Sequence, residues 1–248
     1  MSEATTLDTL LGGRVRLLQP RRGYRVAIDP VLLAAAVPVA SGESVLDVGV
    51  GTGAASLCLA ARVADCRIVG LERNTDAVAL ARASVALNGL EGRVRIVEGD
   101  LLAPPAELVG TSFDHVVTNP PYLAPGREPA SPEVGLAAAH LAEVAPPVWI
   151  GACLARLRPR GWLTLIHRAD RLAHVLTALA GRAGSVEIVP IWPKASAAAA
   201  SRIVVRARKG AKGPLRLLRG LVLHEPDGRH TCAAEAVLRH GEALQAGS

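Results

Sequence analysis

Aromatic side chains are scarce in this chain: one Phe, two Tyr and three Trp in 248 residues. Each Tyr or Trp near a candidate site therefore counts as a candidate contact rather than as routine core. The four cysteines, Cys58, Cys66, Cys153 and Cys232, form no closely spaced pair. That argues against a zinc ribbon or a disulfide framework, and reads as buried or incidental thiols in a reducing compartment. No other metal-ligand pattern stands out. The longest apolar stretch, residues 31–40, is broken by Pro38 and too short to span a bilayer. The opening MSEATTLDTLLGGR has no basic region followed by an apolar segment, so no signal peptide is expected. No repeat is visible. The expectation is a soluble, cytoplasmic protein.

Half of the residues are hydrophobic, which is enough for a packed core and argues against wholesale disorder. The formal net charge of +6 suggests an anionic partner, nucleic acid first. An Arg-rich, Ala-rich composition can also reflect base composition of the genome, so charge alone does not decide.

From residue 44 apolar runs alternate with helical periodicity. SVLDV, 67–71, VRIVEG, FDHVVT and GWLTLIHR read as strands. Residues 54–63, 75–87, WIGACLARL and DRLAHVLTALAG read as helices. SVEIVPIW, SRIVVRARK and GLVLHE supply late strands, and CAAEAVLRH a last helix. This pattern predicts an α/β, doubly wound, mostly parallel sheet with an antiparallel edge. Residues 1–40 read as an N-terminal appendage, with strands at 14–18 and 24–27 around a turn at 20–23. Asp29 is expected to cap a helix that has Pro30 in its first turn. Residues 41–240 form the main domain, 209–214 a hairpin loop, and 241–248 a flexible tail.

VLDVGVGTG, residues 45–53, runs a buried strand through Gly49, Gly51 and Gly53 into a helix. Such glycines allow positive φ and close approach of a ligand. Asp47 can accept from an ammonium or from nearby amides. Glu72 ends the next strand at the spacing where an acid meets a ribose. An adenosine-containing cofactor is expected. Gly49-x-Gly51-x-x-Ala54 also fits a dinucleotide fingerprint, so a dehydrogenase stays open at this point. Asp47 favours S-adenosylmethionine, whose methionine end is zwitterionic. Asp100, after the third strand, can take an adenine amino group, or simply form a turn.

Asn119-Pro120-Pro121-Tyr122 follows FDHVVT directly, beside the glycine loop in such a sheet. A conjugated amine is a weak nucleophile. The Asn119 side-chain oxygen and the Pro120 carbonyl can hold its two N–H groups and support pyramidalisation, acting mainly on the transition state. Tyr122 offers a stacking face. The bland alternative is a diproline turn beside a core Tyr.

VLDVGVGTG followed by TNPPY resembles the class I amino-methyltransferases. More closely, the chain resembles the bacterial tRNA(Val) adenine-N6-methyltransferase family. The likeness includes GYRVAIDPVLLAAAVP, VALNGL, SRIVVRARK and GLVLHEPDGRHTCAAEAVL. It implies S-adenosylmethionine as cofactor, held by Asp47, Gly49, Gly51, Gly53, Glu72, Asp100 and Asn119, with Asp29 near its methionine end. It implies Asn119, Pro120 and Tyr122 at the acceptor nitrogen, and a tRNA partner. Asn88 falls at a position where the family also carries Asn, and a helix C-cap explains it equally well. Where relatives carry an Arg-rich stretch and a His-Glu-like pair, this chain has SPEVGLAAAHLAEV, with His140 and Glu143.

The competing acceptor is a release-factor glutamine, although those enzymes resemble two-domain proteins with a helical region before the glycine loop. A non-catalytic RNA-binding relative is the alternative from another class. Two basic clusters, Arg21, Arg22 and Arg25, and Arg206, Arg208, Lys209 and Lys212, are expected at an RNA-binding rim.

Overall fold

Two strands, β1 (Thr5–Leu10) and β2 (Val15–Pro20), open the chain as an antiparallel hairpin around a 3-10 turn at Leu11–Gly13. The computed structural model describes residues 5–22, 25–120 and 146–244. The hairpin corrects the expected one. Its turn lies before residues 14–18, not after them, and residues 25–27 are not strand. TTLDTL alternates in a strand-like way that its Thr content makes easy to read as a polar start.

Asp29 and Pro30 begin α1 (Asp29–Ala36), every residue of which is buried. Asp29 lies inside the first turn, and Ile28 holds the cap position. The expectation of Asp29 as a cap is therefore corrected.

The sheet is built from β3 (Ser44–Val48), β4 (Arg67–Glu72), β5 (Val94–Glu98), β6 (Phe113–Thr118), β7 (Leu157–Arg168), β8 (Ala183–Lys194), β9 (Arg202–Lys209), β10 (Arg216–Leu217) and β11 (Leu221–His224). The order across it is β5-β4-β3-β6-β7-β9-β8-β10, with β11 also on β8. Only β9 runs antiparallel to its neighbours β7 and β8. Residues 209–214 do not close a hairpin: β9 and β10 flank β8 on opposite sides. The helices are α2 (Ala54–Arg62), α3 (Thr75–Leu87), α4 (Pro146–Ala155), α5 (Leu172–Leu179) and α6 (Cys232–Leu238).

One core cluster joins α1, α2, α3, α6 and the hairpin to one face of the sheet. The other packs α4 and α5 on the opposite face. Helices on both faces are what a parallel sheet of Val, Ile and Leu needs to bury both sides. The hairpin docks through Asn88, which follows α3. The Asn88 Oδ1 accepts the Arg16 N–H at 2.9 Å, and its Nδ2 donates to the Arg16 carbonyl at 2.6 Å. Ser84 Oγ accepts the Leu18 N–H. At the far end Leu244 is buried, and its N–H donates to the Ala35 carbonyl.

The chain leaves β3 for β4 and β5 on one side and returns to β6 on the other. The carboxyl ends of β3 and β6 thus flank the switch point where open α/β sheets bind ligands. Among the described residues no helix is long and apolar enough to cross a membrane, and no group of three metal-binding side chains gathers. All four cysteines are free, with Cys58, Cys66 and Cys153 buried.

Candidate active site

The glycine loop and Asn119 start side by side. Val48 and Thr118 are level in the β3–β6 ladder, so the next residues, Gly49 and Asn119, leave the sheet together. The Thr118 hydroxyl donates to the Val48 carbonyl at 3.0 Å and accepts the Trp149 indole N–H at 3.3 Å.

Gly49, Gly51 and Gly53 have φ of 72°, 56° and 97°. At Gly49 and Gly51 a Cβ would meet open space, so the requirement there is backbone conformation rather than room. The Gly49 N–H donates to the Leu71 carbonyl at 2.8 Å. The Gly51 N–H donates to Glu72 Oε2 at 3.0 Å, while Glu72 Oε1 accepts the N–H groups of Arg73 and Asn74. Glu72, at the end of β4, therefore fixes the loop against the neighbouring strand.

Asp47 is 2% exposed. Ser56, in the first turn of α2, donates its hydroxyl to Asp47 Oδ2 at 2.7 Å. Gly53 caps α2 without a side chain, so a carboxylate here also suits the helix's positive end. Burial nonetheless pushes the Asp47 carboxyl up to about 6, with the bonds from Ser56 opposing and the Glu72 charge adding.

Two buried oxygens at this edge, Thr52 Oγ1 in the loop and Asn119 Oδ1 after β6, have no hydrogen-bond partner among the described residues. Buried polar atoms in native folds are nearly always paired, so both are open to a ligand's donors. Pro120 stands next to Asn119, half-buried. Tyr122, Pro121, His140 and Glu143 lie outside the described residues.

Asp100 follows β5, two strands away from β3, and its Oδ1 accepts the Leu102 N–H at 2.8 Å. That bond is the ordinary turn contact. Asp29 is buried and accepts Arg202 Nε at 2.9 Å. Arg202 opens β9 level with Arg168 at the end of β7, which places this ion pair at the same carboxyl edge as Asn119. His167 also lies there, two residues beyond the Leu165 that pairs with Thr118. Burial, with Arg171 and Arg168 nearby, lowers its pKa to about 4, so it is neutral at pH 7.

The second basic cluster is not at this rim. β9 runs antiparallel, so Arg208 and Lys209 emerge at the opposite edge of the sheet from Asn119. Arg206 is 9% exposed and pairs with Glu187 at 2.6 Å. Arg208 lies over the Trp162 ring, and Lys209 Nζ donates to the Leu157 carbonyl. In the first cluster Arg21, Arg22 and Arg25 are all exposed, and Arg25 is tied to Asp8 and Thr6 of the hairpin.

Ser56, Thr118, Trp149 and Arg202 were not singled out from sequence. The available signal is that Ser56 is the one polar residue in AASLCLAA and Thr118 the hydroxyl closing an apolar strand. Nothing local marks Trp149 or Arg202, whose partners are 31 and 173 residues away.

Comparison with known proteins fits this geometry. The methyltransferase small domain family matches residues 25–141. A tRNA1(Val) (adenine(37)-N6)-methyltransferase of Aeromonas hydrophila is 31% identical over 221 residues, covering 85% of this chain and 87% of that one. Its namesake in Aeromonas salmonicida is 34% identical over 59% of this chain, and there the match spans only 60% of the relative's length. A release factor glutamine methyltransferase of Chlorobaculum tepidum is 35% identical, but over 44% of this chain and 38% of its own. A crystal structure of a predicted O-methyltransferase from Agrobacterium tumefaciens superposes with a TM-score of 0.72 at 26% identity, covering 89% of this chain and 99% of that one. The chain belongs to the same family as the A. hydrophila enzyme, the S-adenosylmethionine-dependent methyltransferases built on the methyltransferase small domain.

Proposed function

We propose that this protein methylates the exocyclic N6 of an adenine in tRNA, near the anticodon, as a cytoplasmic enzyme. The observation that carries this reading is Asn119 Oδ1, buried and without a partner among the described residues where β6 ends beside the glycine loop. An orphan acceptor there suits an amine that brings N–H donors. It does not suit a hydroxyl acceptor, which would need a base to take its single proton.

S-adenosylmethionine supplies an electrophilic methyl group when bound. Asp47 accepts its ammonium end, with Asp29 nearby. Glu72 takes ribose hydroxyls with lone pairs left over from its backbone bonds. Asp100 accepts the cofactor's adenine amino group with its second oxygen. Gly49, Gly51 and Gly53 keep the loop free of side chains. Asn119 Oδ1 and the Pro120 carbonyl hold the two N–H groups of the target amine, and Tyr122 stacks on its base. As the nitrogen pyramidalises its N–H groups become more acidic, so these acceptors bind the transition state more tightly than the ground state. The methylated nitrogen then releases a proton to solvent, and no strong base is required.

A glutamine amide presents the same two N–H groups, and release-factor methyltransferases share part of this sequence. One feature favours tRNA: the match to the tRNA enzyme extends over 85% of this chain and 87% of that enzyme, whereas the release-factor enzyme matches over 44% and 38%. Exposed Arg21 and Arg22 extend this reading to phosphate contacts. Offering labelled S-adenosylmethionine with either tRNA or purified release factor tests the choice. Label in the release factor alone would reject the tRNA reading.

A further inference from the structure

Thr118 is fully buried, yet it makes two hydrogen bonds that leave its own strand. Its hydroxyl donates to the Val48 carbonyl and accepts from Trp149 Nε1. Val48 is the last residue before the glycine loop, and Thr118 the last before Asn119. Beyond this level the two chains part: Gly49 turns to the Leu71 carbonyl on the other side, and Asn119 enters the acceptor segment. Trp149 belongs to α4, which packs on the far face of the sheet. The chain Trp149 → Thr118 → Val48 thus crosses from α4 through the end of β6 to the end of β3.

We propose that Thr118 is a positioning residue, which sets the distance between the loop that holds the methyl donor and Asn119, which holds the acceptor nitrogen. The inference rests on the role proposed above for Asn119. The buried hydroxyl adds two directed hydrogen bonds to what the β3–β6 ladder and apolar packing supply, at the level where that ladder ends. Methyl transfer needs the reacting atoms held near attack distance, and small displacements there lower turnover steeply. Thr118 touches neither cofactor nor amine, so its loss should spare binding and lower kcat. A merely structural Thr118 would instead lower stability with no selective effect on kcat.

The test compares Thr118→Val, Thr118→Ser and Trp149→Phe, with Asn119→Ala as a control on the underlying reading. Four quantities are read: S-adenosylmethionine affinity by calorimetry, thermal midpoint, kcat and KM on tRNA from cells lacking the protein, and the Trp149 indole N–H resonance by NMR. Thr118→Val keeps shape but removes both bonds. Its kcat should fall tenfold or more, with cofactor Kd and tRNA KM within about twofold of wild type, and the Trp149 resonance should move. Thr118→Ser should recover kcat to within about threefold and return the resonance. Trp149→Phe keeps the inner bond and should lose less than Thr118→Val. Wild-type kcat in Thr118→Val with a displaced indole resonance would overturn the proposal, as would equal losses in Thr118→Val and Thr118→Ser. If Thr118→Val does not fold, the comparison of Trp149→Phe with Thr118→Ser decides, and unchanged kcat in Trp149→Phe overturns the relay. Wild-type kcat in Asn119→Ala would instead reject the role of Asn119, whatever Thr118 does.

Discussion

Glu72 Oε2 accepts the backbone N–H of Gly51 at 3.0 Å, so the acid expected at a ribose is already part of the loop that frames the site. Glu72→Ala removes a charge-assisted ligand and a loop anchor together. S-adenosylmethionine affinity should fall by about 1.5–3 kcal/mol, the worth of hydrogen bonds to a charged group. Calorimetry showing unchanged affinity would remove Glu72 from the cofactor site.

The Asp47 carboxyl, at about 6 in the folded protein against an ordinary 3.8, makes stability depend on pH. The folded state keeps a proton that the unfolded chain releases. The resulting stabilisation is fully present below about 3.8 and is lost as pH rises through 6. Asp47→Asn should flatten that slope and make the ligand-free protein more stable at pH 7, by roughly 2–3 kcal/mol from the size of the shift. The same variant should bind S-adenosylmethionine worse. Urea unfolding between pH 4 and 7 gives the check, and equal slopes for variant and wild type would contradict it.

Asn119→Ala removes the orphaned acceptor without touching the glycine loop. It should lower kcat about 10²–10³-fold, as loss of one preorganised transition-state partner does, and leave cofactor affinity nearly unchanged. Single-turnover rates separate this from a binding defect.

Asn88 meets both backbone groups of Arg16, as a neighbouring strand would. Asn88→Ala should cost about 0.5–1.5 kcal/mol, the net worth of an ordinary hydrogen bond, because the exposed Arg16 backbone groups can turn to water instead. Hydrogen exchange at the Arg16 and Leu18 amides should speed up well before exchange in β3. Unchanged protection at Arg16 would show that the hairpin is held by apolar packing alone.

Much of the fold could be read locally. The strands from residue 44 are short segments rich in Val, Ile and Leu, and three glycines in five residues fix the loop. Asp47 and Asn119 follow from strand ends, which a sequence marks well. What escaped depends on the ladder. Residues 202, 204 and 206 share one face of β9, and because β9 lies between β7 and β8, Arg206 is driven inward to Glu187 rather than out to a phosphate. The direction of β9 sends Arg208 and Lys209 to the wrong edge for the same reason. Asp29 reads as a cap because Asp-Pro commonly opens helices, and its bond to Arg202, 173 residues away, leaves no local mark.

The most direct measurement is mass spectrometry of nucleosides from tRNA treated with S-adenosylmethionine and the protein. Wild type should raise N6-methyladenosine, Asn119→Ala should leave it at background, and release factor offered alongside should stay unmodified. No gain of N6-methyladenosine from wild type, with methylated glutamine appearing in the release factor instead, would contradict the assignment.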